Sequence, residues 1–509
     1  MRESMQLTST GYLLFLLIGV LLYYGLPKKQ QWKVLLVMSV LFYCMFDIRL
    51  IGYIIVSTVS VFFAAKAIEP LKRGTSKKKK ILVFTLILNF GLLAFVKYTE
   101  FLLDNVNALL KSWQIGYTIP GMEILVPVGI SFYTFQITGY LLDVYWGRDK
   151  AETSLPRFFL FASFFPQIIQ GPISKHKTLG AELNKEHSFS IQNIKYGLQL
   201  MLFGFFKKLV IADTAAVAVN TVFSQIDHAY GLTVIAGILC YCIQLYCDFS
   251  GGIDVIRGSA ELFGITMQEN FKRPFFSKSI AEFWRRWHIS LGIWMKDYIF
   301  YPISLSKWMN KMGQRCRKLF GSQIGRKLPV CFANIIVFFL VGIWHGPNWQ
   351  FIVYGIYNGL IIAISSLLTP WYQKLYDVTH IRKESVFMKV FQMIRTFLLV
   401  NLGWYFDRST CLTDAFVLMK HTLIRGTEQI HAAGFLGLHK YQYAYMLIGC
   451  MILFTVSVLQ EKGMEVRKRI DTLPLLIKWA LWLMLLFAIP LMGYFSPDAS
   501  VGGFMYANF

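Results

Sequence analysis

The sequence predicts an all-α protein that crosses a lipid bilayer many times. Of its 509 residues, 55% are hydrophobic and only 16% are charged, and the mean hydropathy is +0.49. Soluble proteins usually carry about 25% charged residues, so this composition disfavours a chain that folds in water. The apolar residues also form runs as long as a membrane-spanning helix requires, which is about 20 residues.

These runs predict about 11–12 transmembrane helices, with re-entrant and interfacial helices between them. Residues 157–173 are apolar but interrupted by Pro166 and Pro172, which indicates a re-entrant segment buried in protein. The candidate spans are residues 11–26, 32–48, 50–67, 81–97, 124–146, 196–213, 232–250, 330–346, 349–369, 387–405, 441–459 and 475–495.

The distribution of Lys and Arg predicts the orientation of the chain. The loops at 27–33 and 66–80 are rich in lysine, whereas the loop at 98–123 is poor in basic residues. Short cytoplasmic loops carry an excess of Lys and Arg, so the N-terminus is predicted to lie outside. This bias explains most of the net charge of +23, and we expect no nucleic-acid partner. The eight cysteines form no C-x-x-C pair, and no metal site is expected.

Residues 271–327 form a strongly basic segment. It holds thirteen Lys or Arg residues and two acidic residues, interleaved with aromatic residues. One interpretation is an interfacial amphipathic helix that lies on anionic headgroups. The other is a cytoplasm-facing surface for a polyanion such as coenzyme A. Charge alone does not separate the two.

Two histidines are candidates for catalysis. His345 lies near the end of the run from Val330 to Trp349, which carries no charged residue. An ionisable group within a membrane segment indicates function. Imidazole, with an ordinary pKa of about 6.5, is a suitable general base for a hydroxyl. His288 follows Arg285 and Arg286, whose charge disfavours an imidazolium. Alternatively, His288 contacts lipid headgroups.

Several acidic residues lie in apolar surroundings. Asp248 is expected either to form a structural ion pair or to orient a histidine. The sequence contains no nucleophile elbow of the G-x-S-x-G kind and no glycine-rich phosphate loop, so an ATP-driven pump is not indicated. The acids concerned are Asp143, Asp213, Asp248, Asp254 and Asp407.

Eight segments, in one order over about 220 residues, resemble the membrane-bound O-acyltransferase (MBOAT) family. Within it they are most similar to members that O-acetylate alginate or peptidoglycan. The strongest are F-W-R-R-W-H-I-S-L, W-M-K-D-Y-I-F-Y-P and G-I-W-H-G-P-N-W. The segments are Pro127–Gln136, Phe165–Ile173, Phe206–Asp213, Tyr246–Gly251, Glu269–Phe275, Phe283–Leu291, Trp294–Pro302 and Gly342–Trp349.

The resemblance implies a single polytopic domain over residues 1–509, with its catalytic core at 120–350. Helices would form a ring around a tunnel, with His345 as the catalytic histidine and His288 as a second polar position. Residues implied to bind acyl-CoA or substrate are Trp284, Arg285, Arg286, Lys296, Asp297, Tyr298 and Asn348. Asp248 and Gly346 would be structural or orienting residues, and Tyr506 a possible acyl carrier.

The resemblance also implies the reaction and its setting. The chain would sit in the cell membrane and use acyl-CoA, most simply acetyl-CoA, as donor, with no permanently bound cofactor. An extracytoplasmic SGNH-type transferase would be its partner, and a cell-surface polysaccharide the acceptor. Three alternatives stay open: a D-alanyl-type enzyme for teichoic acid, a non-catalytic polysaccharide transporter or flippase, and a passive scaffold.

Overall fold

The computed structural model describes residues 5–424, 435–495 and 504–505 of the chain. Over these ranges the chain is helical, and the only β-pairing is an isolated bridge between Phe435 and Leu438. The predicted all-α class is therefore confirmed.

The described helices follow one another in a simple order. They are α1 (Thr10–Gly25), α2 (Gln31–Asp47), α3 (Ile51–Ile68), α4 (Ser76–Ser112), α5 (Ile130–Trp146), α6 (Leu155–Ser163), α7 (Ala181–Asn184), α8 (Ile191–Phe205), α9 (Asp213–Ser224), α10 (Leu232–Leu262), α11 (Ile280–Arg286), α12 (Ile289–Met295), α13 (Tyr301–Ser304), α14 (Lys307–His345), α15 (Trp349–Leu367), α16 (Thr369–Thr379), α17 (Val386–Arg408), α18 (Leu412–Thr422), α19 (Lys440–Glu461), α20 (Val466–Asp471) and α21 (Leu475–Met492). Short π-helical turns at His176–Gly180, Phe206–Ala212 and Lys296–Phe300 join some of them.

The predicted spans agree with the helices. Within the described part of the chain, eight helical stretches are long and apolar enough to cross a membrane, and one of them, Lys28–Ile68, includes both α2 and α3. The chain is thus a multi-pass membrane protein. The predicted start of one span at residue 124 is wrong, because α5 begins at Ile130. Pro127 and Gly129, the latter with φ of 70°, keep the preceding residues out of a helix.

The chain divides into two compact units. Unit 1 comprises Met1–Phe205, Gly251–Gln268 and Pro497–Phe509, and unit 2 comprises Phe206–Ser250 and Glu269–Ser496. In unit 1, the residues after α6 leave the helix but stay buried, including Phe164, Phe165 and Gln170. Non-helical backbone at membrane depth requires such burial, as predicted for a re-entrant segment.

In unit 2, α14 is two helices joined by a sharp turn at Gly321, where φ is 75°. The second helix returns along the first, so that Trp308 and Phe332 bring their ring centroids to 5.6 Å. Beyond this hairpin, α14 packs closely against α15 through glycine. A Cβ on Gly355 would lie 2.2 Å from the carbonyl oxygen of Phe338, and one on Gly342 would lie 2.4 Å from that of Phe351. Such small residues let membrane helices approach.

We predict that Gly355→Ala destabilises the protein by about 1–3 kcal/mol, because the added methyl group would meet backbone and not a movable side chain. The thermal midpoint of the detergent-solubilised protein measures this effect. Gly91→Ala is the matched control, since nothing lies within 4 Å of a Cβ at Gly91 in α4. Equal midpoints for the two variants would contradict the packing argument.

Candidate functional site

His345 is the last residue of α14 and lies inside unit 2, with 4% of its surface exposed. Its ring packs among those of Trp344, Phe351 and Tyr354, at centroid distances of 5.3 to 6.1 Å. A Cβ on Gly346 would lie 2.6 Å from a ring carbon of Phe351. Gly346 therefore ends the helix where a larger residue would displace the aromatic wall around the histidine.

A carboxylate lies beside this histidine. Oδ1 of Asp407, near the end of α17, is 3.4 Å from Nδ1 of His345, and each side chain is only 4% exposed. The hydroxyl of Tyr241 on α10 donates a hydrogen bond to Oδ2 of Asp407 at 2.7 Å. The sequence marked Asp407 only as one of five acids in apolar surroundings, and nothing in it pointed to Tyr241.

His288 lies in the turn between α11 and α12 and is 2% exposed. Its φ of 45° is in the left-handed region, which residues other than glycine seldom occupy. Asn270 holds this turn with both its backbone and its side chain. Its backbone carbonyl accepts the N–H of Ile289 at 3.0 Å, and its side-chain Oδ1 accepts the N–H of Ser290 at 2.9 Å.

These contacts assign the proton on the neutral His288 ring. Both amide atoms of Asn270 lie near Nδ1 of His288, the nitrogen at 3.2 Å and Oδ1 at 3.4 Å; because Oδ1 already accepts from Ser290, we infer that the amide nitrogen donates to Nδ1. Nδ1 is then the acceptor, and the ring proton is on Nε2. Burial, with a further contribution from His345, lowers the pKa of His288 to about 3. His288 is thus a neutral donor, and its burial does not fit the headgroup-contacting alternative.

Aromatic rings join the two histidines into one cluster. The ring of Trp344 lies 5.5 Å from that of His288 and 5.3 Å from that of His345. Trp284 joins the cluster through Tyr354, at 6.3 Å. The structure therefore brings Trp284 and His288 together with His345, which is far from both in the sequence.

The remaining predicted binding residues differ in their exposure. Arg285, Lys296 and Asn348 are exposed, Asp297 is partly exposed, and Tyr298 is buried against Trp294.

Arg286 is already engaged by acidic side chains. Its guanidinium lies 3.0 Å from Glu461 and 2.9 Å from Glu282, and Arg273 also contacts Glu461, at 2.6 Å. We call the group of Arg273, Arg286 and Glu461 the Glu461 clasp. These arginines can meet an anionic ligand only in competition with Glu461.

Asp248 takes part in a buried ion cluster. Nζ of Lys208 lies 2.7 Å from Asp248 and 2.8 Å from Asp213, and none of the three side chains is more than 3% exposed. Removing one partner from such a group leaves an uncompensated buried charge. Of the two expectations for Asp248, the structure shows the ion pair.

Tyr506 lies outside the described residues. Phe504, two residues before Tyr506, belongs to unit 1, and its side chain is 3% exposed. A Cβ on Gly252 would lie 3.0 Å from its ring, so this glycine leaves the space that Phe504 fills. Across the described ranges, no group of three or more His, Cys, Asp or Glu residues could hold a metal ion.

The site can transfer a proton in apolar surroundings. It combines the neutral donor His288 with His345, and the buried carboxylate of Asp407 lies 3.4 Å from His345. A general base with such a partner can accept a proton from a hydroxyl and return it to a leaving group.

Comparison with known proteins identifies the family. A model of the membrane-bound O-acyltransferase family matches residues 149–313. The chain is 32% identical to the probable alginate O-acetylase of Azotobacter vinelandii, over 79% of this chain and 74% of the relative. It is 30% identical to the peptidoglycan O-acetyltransferase of Helicobacter pylori, over 80% and 77% of the two chains. It is 29% identical to the teichoic acid D-alanyltransferase of Bacillus subtilis, over 56% and 69%.

Two of these relatives are at least 30% identical to the chain and are matched over more than two thirds of their length. The chain belongs to the membrane-bound O-acyltransferase family.

Proposed function

We propose that this protein is an O-acetyltransferase that moves an acetyl group from cytoplasmic acetyl-CoA across the membrane for the O-acetylation of a cell-surface polysaccharide. The observation that carries this proposal is the buried His345, with a carboxylate at 3.4 Å and a second, neutral histidine in the same aromatic cluster. The relatives named for alginate and peptidoglycan O-acetylation support the reaction class.

In the proposed reaction, the imidazole of His345 takes the proton from the accepting hydroxyl. The hydroxyl oxygen forms a bond to the carbonyl carbon of the thioester, and the carbon–sulfur bond breaks. The imidazolium then gives its proton to the leaving thiolate, so that the products are an ester and free coenzyme A. The Nε2 proton of neutral His288 is suited to polarise the thioester carbonyl.

The proposed donor surface is the basic segment at 271–327, with Trp284, Arg285, Arg286, Lys296, Asp297, Tyr298 and Asn348 as candidate contacts. Exposed cations such as Arg285 and Lys296 can attract the phosphates of coenzyme A. Residues 120–350 would form the catalytic core of one polytopic domain. The Lys and Arg pattern of the loops supports a cell-membrane protein with its N-terminus outside.

On the outer side, we propose an SGNH-type transferase as partner, which would pass the acyl group to the polymer. Tyr506 would carry that group in transit. Relatives named teichoic acid D-alanyltransferases favour D-alanyl as the second candidate acyl group. Mass spectrometry of the cell envelope with and without this protein distinguishes acetyl from D-alanyl, because the modification lost without the protein has a different mass in each case.

We predict that His345→Ala lowers the rate of radiolabelled acetyl transfer from acetyl-CoA in proteoliposomes by roughly 10²–10⁴-fold, since the general base is lost. His228→Gln, at an exposed histidine outside the site, is the control and should keep the wild-type rate. Normal transfer by a folded His345→Ala protein would contradict the proposed chemistry.

A second prediction concerns the pH dependence of turnover. With its pKa lowered to about 3, His288 stays uncharged between about pH 5 and 9. His288→Asn should therefore lower kcat without moving the midpoint of the acidic limb of the kcat–pH profile. A displaced midpoint in this variant would show that His288 titrates during the reaction.

A third prediction concerns the Glu461 clasp. Glu461→Gln releases Arg273 and leaves Arg286 paired with Glu282, so both arginines meet the donor phosphates with less competition. We expect KM for acetyl-CoA to fall by about 2–10-fold, as exposed ion pairs are individually weak. The matched control is Glu465→Gln, which removes the carboxylate that pairs with Lys468 on the surface. If both variants keep the wild-type KM, the clasped arginines do not bind the donor.

A further inference from the structure

We propose that Asp407 is a positioning residue for His345, and that Tyr241 fixes Asp407 in turn. This inference rests on the proposed function, because it assigns how the catalytic imidazole is held in one tautomer. Its basis is a row of three buried groups from three helices: α10 gives Tyr241, α17 gives Asp407 and α14 gives His345.

Burial of the Asp407 carboxylate costs free energy. Asp407 is near the end of a membrane-spanning helix and its side chain is 4% exposed. A buried carboxylate is stable only where donors face its oxygens. The Tyr241 hydroxyl donates to Oδ2 at 2.7 Å, and Nδ1 of His345 faces Oδ1 at 3.4 Å. Oδ2 therefore has its donor, whereas Oδ1 lies near the imidazole without a hydrogen bond to it.

A cation, Arg408, follows Asp407 in the sequence. Arg408 is the next residue, yet its guanidinium donates to Oδ1 of Asn220 at 2.9 Å and lies over the ring of Phe223 at 5.0 Å. The Arg408 charge also acts on Asp407, but its hydrogen bond goes to Asn220, whereas the imidazole of His345 lies 3.4 Å from Oδ1 of Asp407.

The Asp407 carboxylate determines the tautomer of the His345 imidazole. An ionised carboxylate only accepts hydrogen bonds, so the imidazole nitrogen that faces it has to carry the proton. That nitrogen is Nδ1. Nε2 is then left with its lone pair, and it is the nitrogen that can accept the proton of a hydroxyl. A distance of 3.4 Å is long for a hydrogen bond, and such contacts commonly shorten when substrate binds.

Tyr241 restricts the rotation of the carboxylate. Its ring is 2% exposed and packs edge-on against Trp404, at 6.2 Å between centroids. Trp404 in turn stacks on Tyr354, which also contacts His345. The same aromatic packing thus holds the tyrosine that binds one carboxylate oxygen and the imidazole that faces the other.

The test compares single-atom changes in purified protein in proteoliposomes, with acetyl-CoA as donor. Asp407→Asn should lower kcat by roughly 10²–10⁴-fold with little change in KM for the donor, because an amide can stabilise the wrong tautomer. Asp407→Glu should recover part of this loss. Tyr241→Phe, which removes only the hydroxyl, should lower kcat by about tenfold.

A spectroscopic readout separates positioning from a merely structural role. In protein labelled with ¹⁵N-histidine, the His345 signals are those absent from His345→Ala. They should report a proton on Nδ1 in the wild type and a mixture of tautomers in Asp407→Asn. The control is Asp254→Asn, which removes a carboxylate of α10 that pairs with Arg257, and it should change neither kcat nor the His345 signals.

The outcomes distinguish this inference from the proposed function. If His345→Ala is inactive while Asp407→Asn and Tyr241→Phe keep the wild-type kcat, the positioning role is overturned and the proposed function stands. If His345→Ala is itself active, the proposed function falls and the positioning role falls with it. Should Asp407→Asn fail to fold, a wild-type kcat and tautomer in Tyr241→Phe overturn the inference.

Discussion

The approach of Asp407 to His345 is the constraint on which the proposed site depends. Two ionisable side chains at the ends of membrane-spanning helices would each be costly alone. Here Oδ1 of Asp407 lies 3.4 Å from Nδ1 of His345 without a hydrogen bond between them, while the Tyr241 hydroxyl donates to the second carboxylate oxygen. The helices that carry them, α10, α14 and α17, have to meet at this point for the site to exist.

Aromatic side chains provide the packing that keeps these groups in place. Trp404 stacks on Tyr354, at 5.9 Å between ring centroids, and contacts the tilted ring of Trp287 at 5.6 Å. Large rigid rings lose little side-chain entropy on burial and fill space without adding charge. The imidazoles of His288 and His345 are thereby enclosed by apolar surface, where electrostatic interactions are stronger than in water.

The spans and both histidines could be predicted because each depends on a local pattern: apolar run length, or an ionisable residue within such a run. The proximity of Asp407 to His345 could not, because the two residues are about 60 positions apart and no local pattern records which helices become neighbours. The resemblance likewise implied Arg286 as a donor contact without showing that Glu461 faces it. The start of α5 was missed because apolar composition outweighed Pro127 and Gly129.

The turn at Gly321 gives the second half of α14 a defined reach. From Lys327, just after the turn, to His345 the helix runs for about 18 residues, a rise of ~27 Å. The hydrocarbon layer of a bilayer is about 30 Å thick. This helix is therefore long enough to reach from one surface of that layer almost to the other. The basic residues beside the turn and the imidazole at the far end of the helix can lie near opposite surfaces of the bilayer.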